Sequence, residues 1–405
     1  RDQIPYLWLT GWQHPDHNTL WRFYQAHRGA MRTLMKCTVG TAVEMGLVDL
    51  AVQAVDGTKI PGNASTDRTY NAVTLQKLLD RTEAAIGELE AQNEGGDDPP
   101  PPRLPEQLRR AEGLRKQVRA AMDRLASEKG AVRVNLTDGD AQLMKGRRGI
   151  EAGYNAQAMV SPFDRSKAQG DGLFITAADV ATTPDDYGQL LPMMEQAEET
   201  TGQRADVTLA DGGYHSGANL EACEQRGQRV AMPEGQREAM KSPYCKDRFE
   251  YELATDSYLC PEGHRLIFRG LRRHKGRKDM RVYRATGAIC RECPAFGICT
   301  KDQRWGRTLW IGPHDALLRR HRQWMETDEA RALYARRKEL DEPTFGILKE
   351  QMGARRFLLR GLANVRAEFM LLATAFNLRT LWRVWTCRAL PGPSQPSVTM
   401  AGALQ

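Results

Sequence analysis

The chain has 405 residues, 41% of them hydrophobic, with a formal net charge of +7 and a pI near 9.0. That length allows two to three domains and a sizeable core. It excludes a membrane-spanning helix, because the longest apolar run, "FMLLATAFNL" from Phe369, falls far short of the ~20 residues such a helix needs.

No signal peptide opens the chain, which begins at Arg1 rather than Met and reads as a truncated or processed fragment. Without a secretory signal, its cysteines point to metal binding before disulfides. The basic excess gathers in the last third, in "RGLRRHKGRKDMR", "LLRRHRQ", "YARRK" and "GARRFLLRG". A basic face of that kind suits a polyanion such as nucleic acid. The plainer reading of each run is a solvated charged surface.

In chain order, residues 14–48 carry apolar residues at helical spacing, with polar starts at Asp16 and Asn18. "DLAVQAVDGTKIPGN" then changes period to a strand that runs to Asp56, where Gly57 is expected to break it. "AVTLQKLLDRTEAAIGELEAQ" and "LPEQLRRAEGLRKQVRAAMDRLA" read as two antiparallel helices inserted at 72–130 and joined through the acidic, proline-rich "NEGGDDPPPPR". Strands are expected at 154–161 and 172–180, and a helix ending at Gly202. A strand at 205–211, a short helix in "GANLEACEQRG" and a last strand in "RVAMP" complete the series. This succession predicts α/β class, with a mixed sheet covered by helices. The tail from residue 388 reads as disordered.

Asp56 and Asp211 share one setting: each follows an apolar strand and precedes glycine. Ligands gather at the carboxyl ends of strands in open α/β sheets, so a carboxylate there is a site candidate, although Asp-Gly is also an ordinary turn signal. Two hard oxygen ligands close together bind Mg²⁺ or Mn²⁺, and a paired-metal site serves phosphoryl transfer. A third acid is sought in "YARRKELDEPTFGILKEQMGARRFLLRGLANVRAEF", where Tyr334, Lys338, Glu342 and Lys349 fall near one helical face. An ordinary amphipathic helix with internal ion pairs would give the same pattern.

The motifs "AVDGTKIPGNAS", "MKGRRGIEAGYNAQAMVS", "VTLADGGYHSGANLEAC" and "YARRKELDEPTFGILKEQMGARRFLLRGL", in this order, resemble those of bacterial insertion-sequence transposases of the DDE class, the 1182 type within the 4/5 superfamily. "LTGWQHPDHNTLWRFYQAH" also looks like their helical N-terminal region, and the likeness runs from about residue 7 to residue 385. The resemblance implies an RNase H-like catalytic fold and a metal-dependent triad of Asp56, Asp211 and Glu342. It places the tyrosine–arginine–glutamate–lysine signature on Tyr334, Arg337, Glu342 and Lys349, with Tyr334, Arg337 and Lys349 holding DNA phosphates. It implies two Mg²⁺ or Mn²⁺ ions, double-stranded DNA (terminal inverted repeats and target) as partner, a homodimer or larger synaptic assembly, and a bacterial cytoplasmic, nucleoid-associated setting. Tyr214 and His215 follow the second aspartate and are candidates to line the site. One departure is Asp341, where such proteins commonly carry an apolar residue; it leaves two adjacent acids and a competitor for the metal. Pro343 excludes a regular helix here unless Glu342 sits at a kink or in a first turn.

"YLCPEGHRL" and "GAICRECPAFGICTK" supply Cys260, Cys290, Cys293 and Cys299 at a spacing that suits a four-thiolate structural zinc site, with His264 and Cys245 as substitutes. Cys37, Cys223 and Cys387 read as ordinary core or surface cysteines. The expected organisation is a helical N-terminal region (1–48), a catalytic core (49–233) carrying the hairpin insertion, a cysteine-rich basic insertion (234–330), and the glutamate helix with C-terminal helices (331–387). The function expected is a DNA transposase acting on its own element's ends. The alternatives are a catalytically impaired DNA-binding derivative and an RNase H-type nuclease.

Overall fold

The computed structural model describes residues 4–94, 104–128, 130, 132–146, 149–166, 172–235, 242–273 and 279–389. The acidic proline-rich break, the tip of "RGLRRHKGRKDMR" and the tail from residue 390 lie outside them.

In chain order, α1 (Ile4–Leu9), α2 (His17–His27) and α3 (Met31–Glu44) precede β1 (Val52–Pro61). β2 (Thr69–Tyr70) leads into α4 (Ala72–Glu94), and α5 (Leu104–Ser127) returns to β3 (Val134–Asn135). Then come β4 (Gln142–Gly146), β5 (Gly149–Pro162), β6 (Leu173–Ala181), α6 (Leu190–Thr201), β7 (Val207–Ala210), α7 (Gly217–Gln225) and β8 (Arg229–Ala231). A run of short strands follows: β9 (Glu250–Glu252), β10 (Ser257–Leu259), β11 (Arg265–Arg272), β12 (Met280–Arg284) and, after α8 (Gly287–Glu292), β13 (Thr308–Ile311). α9 (Asp315–Met325), α10 (Asp328–Ala335), α11 (Arg337–Gly346) and α12 (Leu362–Ala389) close the chain. It divides into two compact units, Arg1–Ala205 with Lys338–Gln405, and Asp206–Arg337.

In the first unit β5 is the central strand. Along one edge it pairs antiparallel with β1, from Ala54↔Val160 to Pro61↔Gly153. Its other edge is shared by β4 and β6, both antiparallel. Residues Ala152–Ser161 are buried without a break, the pattern of a strand covered on both faces. α12 packs on the neighbouring β6: the Asn377 amide donates to the Ile175 carbonyl at 2.9 Å and its oxygen accepts from the Ile175 N–H at 2.8 Å. α4 and α5 form the expected helical pair around Leu75, Val118 and Ala121. That pair is tied back through the loop after β3, where Asp138 accepts from the buried Tyr154 hydroxyl at 2.7 Å and Asp140 accepts from the Leu362 N–H at 2.7 Å. An acid at the first turn of α12 also meets the positive end of the helix dipole.

The second unit opens with the parallel pair β7–β8. It continues as a five-stranded antiparallel sheet in the order β13-β12-β11-β10-β9. The architecture is mixed α/β, as the strand–helix alternation implied.

Three details differ from the sequence reading. Gly57 does not break β1, which continues to Pro61; there the glycine admits neighbours, since a Cβ would stand 2.2 Å from Gln157 Nε2 and 2.7 Å from Asp186 Oδ1. The 14–48 stretch is two helices split by a 3₁₀ turn at Arg28–Ala30. The sheet β9–β13 was not anticipated at all, because its strands are short and β11, "RLIFRGLR", buries only Leu266 of its eight residues.

Candidate active site

In the first unit, Val52–Val55 are buried and the strand becomes half-buried from Asp56 to Lys59. The Gly57 N–H donates to Asp56 Oδ1 at 2.8 Å, holding the carboxylate against its own backbone. Side chains alternate along a strand, so Asp56 and Thr58 share one face while Gly57 and Lys59 share the other. Lys349 reaches the first face, its ammonium donating to the Thr58 hydroxyl. Lys349, a member of the sequence-derived set, thus meets a strand neighbour of Asp56 that the sequence reading did not single out.

The opposite face holds a network the sequence did not reveal. Asp186 Oδ1 accepts from Asn155 Nδ2 at 2.6 Å, Gln157 Nε2 at 2.8 Å and Lys59 Nζ at 3.0 Å. Asn155 and Gln157 are fully buried. Buried polar groups of this kind must be paired, and here one carboxylate satisfies several donors and fixes the β1–β5 pair under Asp56. The signal was faint: an acid in the "TTPDDYG" loop and two amides in a strand otherwise read as apolar.

Glu342 lies on α11, seven positions before Lys349. The helix contains Pro343 internally and gives way at once to a π turn, Ile347–Gln351, that carries Lys349. A proline removes one ladder bond, and π turns are frequent at functional sites. The two adjacent acids are placed oppositely: Asp341 is 1% exposed, whereas Glu342 is exposed.

In the second unit, Asp211 follows β7 directly and stands at a strand tip as expected. Its Oδ1 accepts from the Gly213 N–H at 2.8 Å, the same backbone-locked arrangement as Asp56. Tyr214 is fully buried and its carbonyl accepts from Asn219 at 2.7 Å; it packs the turn into α7 and does not line an open site. His215 is half-buried, its ring 5.9 Å from that of His321. Tyr334 and Arg337 meet, the guanidinium lying 5.9 Å from the phenol ring centre.

The same unit gathers the cysteines. Cys260, Cys290, Cys293 and Cys299 line one cavity, with His264 beside them. Cys245 is buried away from that lining. Burial pushes the Cys299 thiol up; Arg307 opposes the shift and the three other thiols add to it. Among the described residues no group of three or more His, Cys, Asp or Glu side chains is set, as it stands, to hold a metal ion. Cys37 is exposed and Cys223 buried, both free; the Cys387 side chain lies outside the described residues.

One basic run is less available than its composition suggested, whereas Arg269, Arg272 and Arg273 in another are exposed. In "LLRRHRQ", Arg319 donates to the Phe249 and Lys246 carbonyls, each at 3.1 Å. Arg322 grips Asp247 with two nitrogens at 2.7 Å and Glu234 at 2.6 Å. These guanidinium groups hold the unit together.

Residues 259–382 match the family model described as Transposase DDE domain. No curated protein and no solved structure matches the chain. The matched segment contains the four clustered cysteines, Tyr334, Arg337, Glu342 and Lys349, and neither Asp56 nor Asp211. It supports a DDE transposase as the general class. No described helix is long and apolar enough to cross a membrane.

Proposed function

We propose that the chain is a DNA transposase, of the 1182 type within the 4/5 superfamily and with an RNase H-like core, that cuts and joins DNA at the terminal inverted repeats of its own insertion sequence. The catalytic triad is Asp56, Asp211 and Glu342. The observation that carries this reading is the Lys349–Thr58 hydrogen bond, which brings the family-matched segment onto the strand face of Asp56.

The residues suit Mg²⁺ or Mn²⁺: all three donors are hard carboxylate oxygens, two half-buried and one exposed. Such ions, when held by Asp56, Asp211 and Glu342, supply a reactive water and charge neutralisation at the phosphodiester. Glu342 is preferred to Asp341 because a buried carboxylate is closed to a hydrated ion. Lys349, Tyr334 and Arg337 hold phosphates; such contacts fix register and carry no base information. Lys349 arrives already oriented by Thr58, which reduces the entropy lost when it meets DNA. The partner is double-stranded DNA, bound by a homodimer or larger assembly in the bacterial cytoplasm. The zinc expected from the cysteine spacing takes no part in this chemistry.

The test is the protein with a plasmid carrying the natural flanking DNA, Mg²⁺ or Mn²⁺, and mapping of the released 3′ ends. Breaks at the repeats, lost in Asp211→Ala and in Glu342→Ala, support the reading. Binding to the repeats without breaks would make the chain an impaired derivative, and breaks without regard to the repeats would make it an RNase H-type nuclease.

A further inference from the structure

Four reduced thiols around one small hole need an explanation. Cys260 sits in the tight turn between β10 and β11, where its N–H donates to the His264 carbonyl at 2.8 Å and its carbonyl accepts from Gly263 N–H at 2.8 Å. Cys290 comes from α8, with Cys293 just past its end and Cys299 one turn later. Two segments about thirty residues apart in the chain thus face each other across a cavity of about 20 Å³. The described cysteines are all free, so no disulfide accounts for the cluster.

Two of the sulfurs accept hydrogen bonds from the backbone. The His264 backbone N–H points at Cys260 Sγ from 3.2 Å and the Arg307 N–H at Cys290 Sγ from 3.4 Å. Arg307 also spans the cluster with its side chain, donating to the Cys299 and Tyr244 carbonyls, each at 2.9 Å. Backbone donors and a nearby cation are the outer partners that orient metal-bound sulfur and offset its charge. Gly306 keeps the space open: at φ +69° it also stands so close that a Cβ would lie 2.9 Å from Cys290 Sγ.

We propose that Cys260, Cys290, Cys293 and Cys299 bind one structural Zn²⁺ that clips the β10–β11 turn to the α8 loop. A four-sulfur set selects zinc or an iron–sulfur cluster, and a hole of this size takes one ion or one water and no cluster. The sulfurs line the hole without closing on one point, and Zn–S bonds of ~2.3 Å draw them inward. Binding exchanges the thiol protons for the metal. No electron moves and the metal has no open position for chemistry. His264 lines the same cavity and supplies only its backbone.

The experiment is metal analysis of purified full-length protein expressed with zinc, paired with cobalt substitution. One zinc per chain is expected, and the cobalt form should show the intense visible bands of a tetrahedral thiolate site. Cys290→Ser and Cys293→Ser should retain less than about a tenth of the metal, while Cys245→Ser and His264→Ala retain it in full. Should the cysteine variants fail to fold, protection of the wild-type thiols from alkylation by zinc, and its reversal by a chelator, gives the same answer. Zinc-free folded protein, bound iron, a disulfide within the set, or loss of metal in His264→Ala would each overturn the proposal. None of these readings involves DNA cleavage, so the transposase assignment stands or falls separately.

Discussion

The two sheets solve the same problem with different means. β5 is buried along ten consecutive residues, Ala152–Ser161, and its two buried amides, Asn155 and Gln157, are hydrogen-bonded to a single loop acid, Asp186. The β9–β13 sheet has a small cluster of buried residues built on Phe249, Tyr258, Leu266 and Tyr283, and its central strand β11 is largely exposed. A well-covered sheet holds Asp56 on a strand fixed by packing and by the Asp186 network, with the Gly57 N–H on its carboxylate. A thin sheet buries too little apolar area for that; the guanidinium clamps of Arg319 and Arg322 add to its small core, as would the zinc proposed above.

The largest expected effect breaks the functional side of this comparison. Asp56→Ala, or Glu342→Ala, should lower DNA cleavage by at least about 10²–10³-fold, the range for removing one charge-stabilising group from an active site. Circular dichroism and melting should hardly change, because both side chains reach solvent. Asp341→Asn is the control. Its side chain is buried, so its effect should fall on melting temperature before it falls on metal-dependent rate. A rate loss in Asp341→Asn equal to that in Glu342→Ala would move the third acid by one position.

Metal removal sharpens the structural side. After zinc loading, a chelator should speed hydrogen exchange of the amides in β10, β11 and β12 and leave those in β5 and β6 protected. A structural zinc contributes directly to folding, and exchange reports the stability of each region separately. Equal loosening of both sheets would mean that the clip supports the whole chain, and no loosening would mean that the clamps of Arg319 and Arg322 suffice.

What the sequence made legible follows the same divide. β5, β6, β7 and α6 were readable because long apolar runs and caps, such as Gly202 at φ 71°, leave a periodic trace. The cysteine set was readable because ligand spacing is itself a pattern. The β9–β13 sheet left no such trace, since "RLIFRGLR" reads as a basic loop when its strand is exposed on most sides. Asp186 was invisible for another reason: its role depends on donors from β1 and β5 that meet only in the fold. The exposure of Glu342 beside a buried Asp341 likewise required the register of α11, which Pro343 blurs.

Glycines give a smaller effect with opposite signs within the first unit. Gly153 faces Pro61 across the β1–β5 pair, and a Cβ there would lie 2.4 Å from the Ile60 carbonyl oxygen. Backbone cannot move aside as a side chain can, so Gly153→Ala should destabilise by about 1–3 kcal/mol and lower the melting temperature. Gly87 sits in α4 with open space around it, and Gly87→Ala should stabilise by roughly 0.5–1 kcal/mol. Denaturant titration of the two variants would show whether β5 is as tightly built as its burial indicates.

Acid gives the smallest effect and separates the units by pH. In the second unit burial holds His321 below its ordinary value of 6.5. Its ring contacts the Met232 carbonyl at 2.9 Å, with Arg322 adding to the depression and Glu234 opposing it. A depressed histidine folds neutral, so its contribution is in place above pH 6.5 and is lost as the pH falls through the lower folded-state value. In the first unit burial would raise Asp140, but the Leu362 N–H and Arg124 outweigh it and hold the carboxyl below 3.8. Its contribution is in place above pH 3.8 and is lost only as the pH falls further. Exchange measured stepwise downward from pH 7, with rates corrected for intrinsic pH dependence, should therefore show α9 loosening first and the α12 N-terminus last. His321→Phe should flatten the first transition without moving the second. If both regions loosen together in the wild type, the two units do not unfold independently in acid.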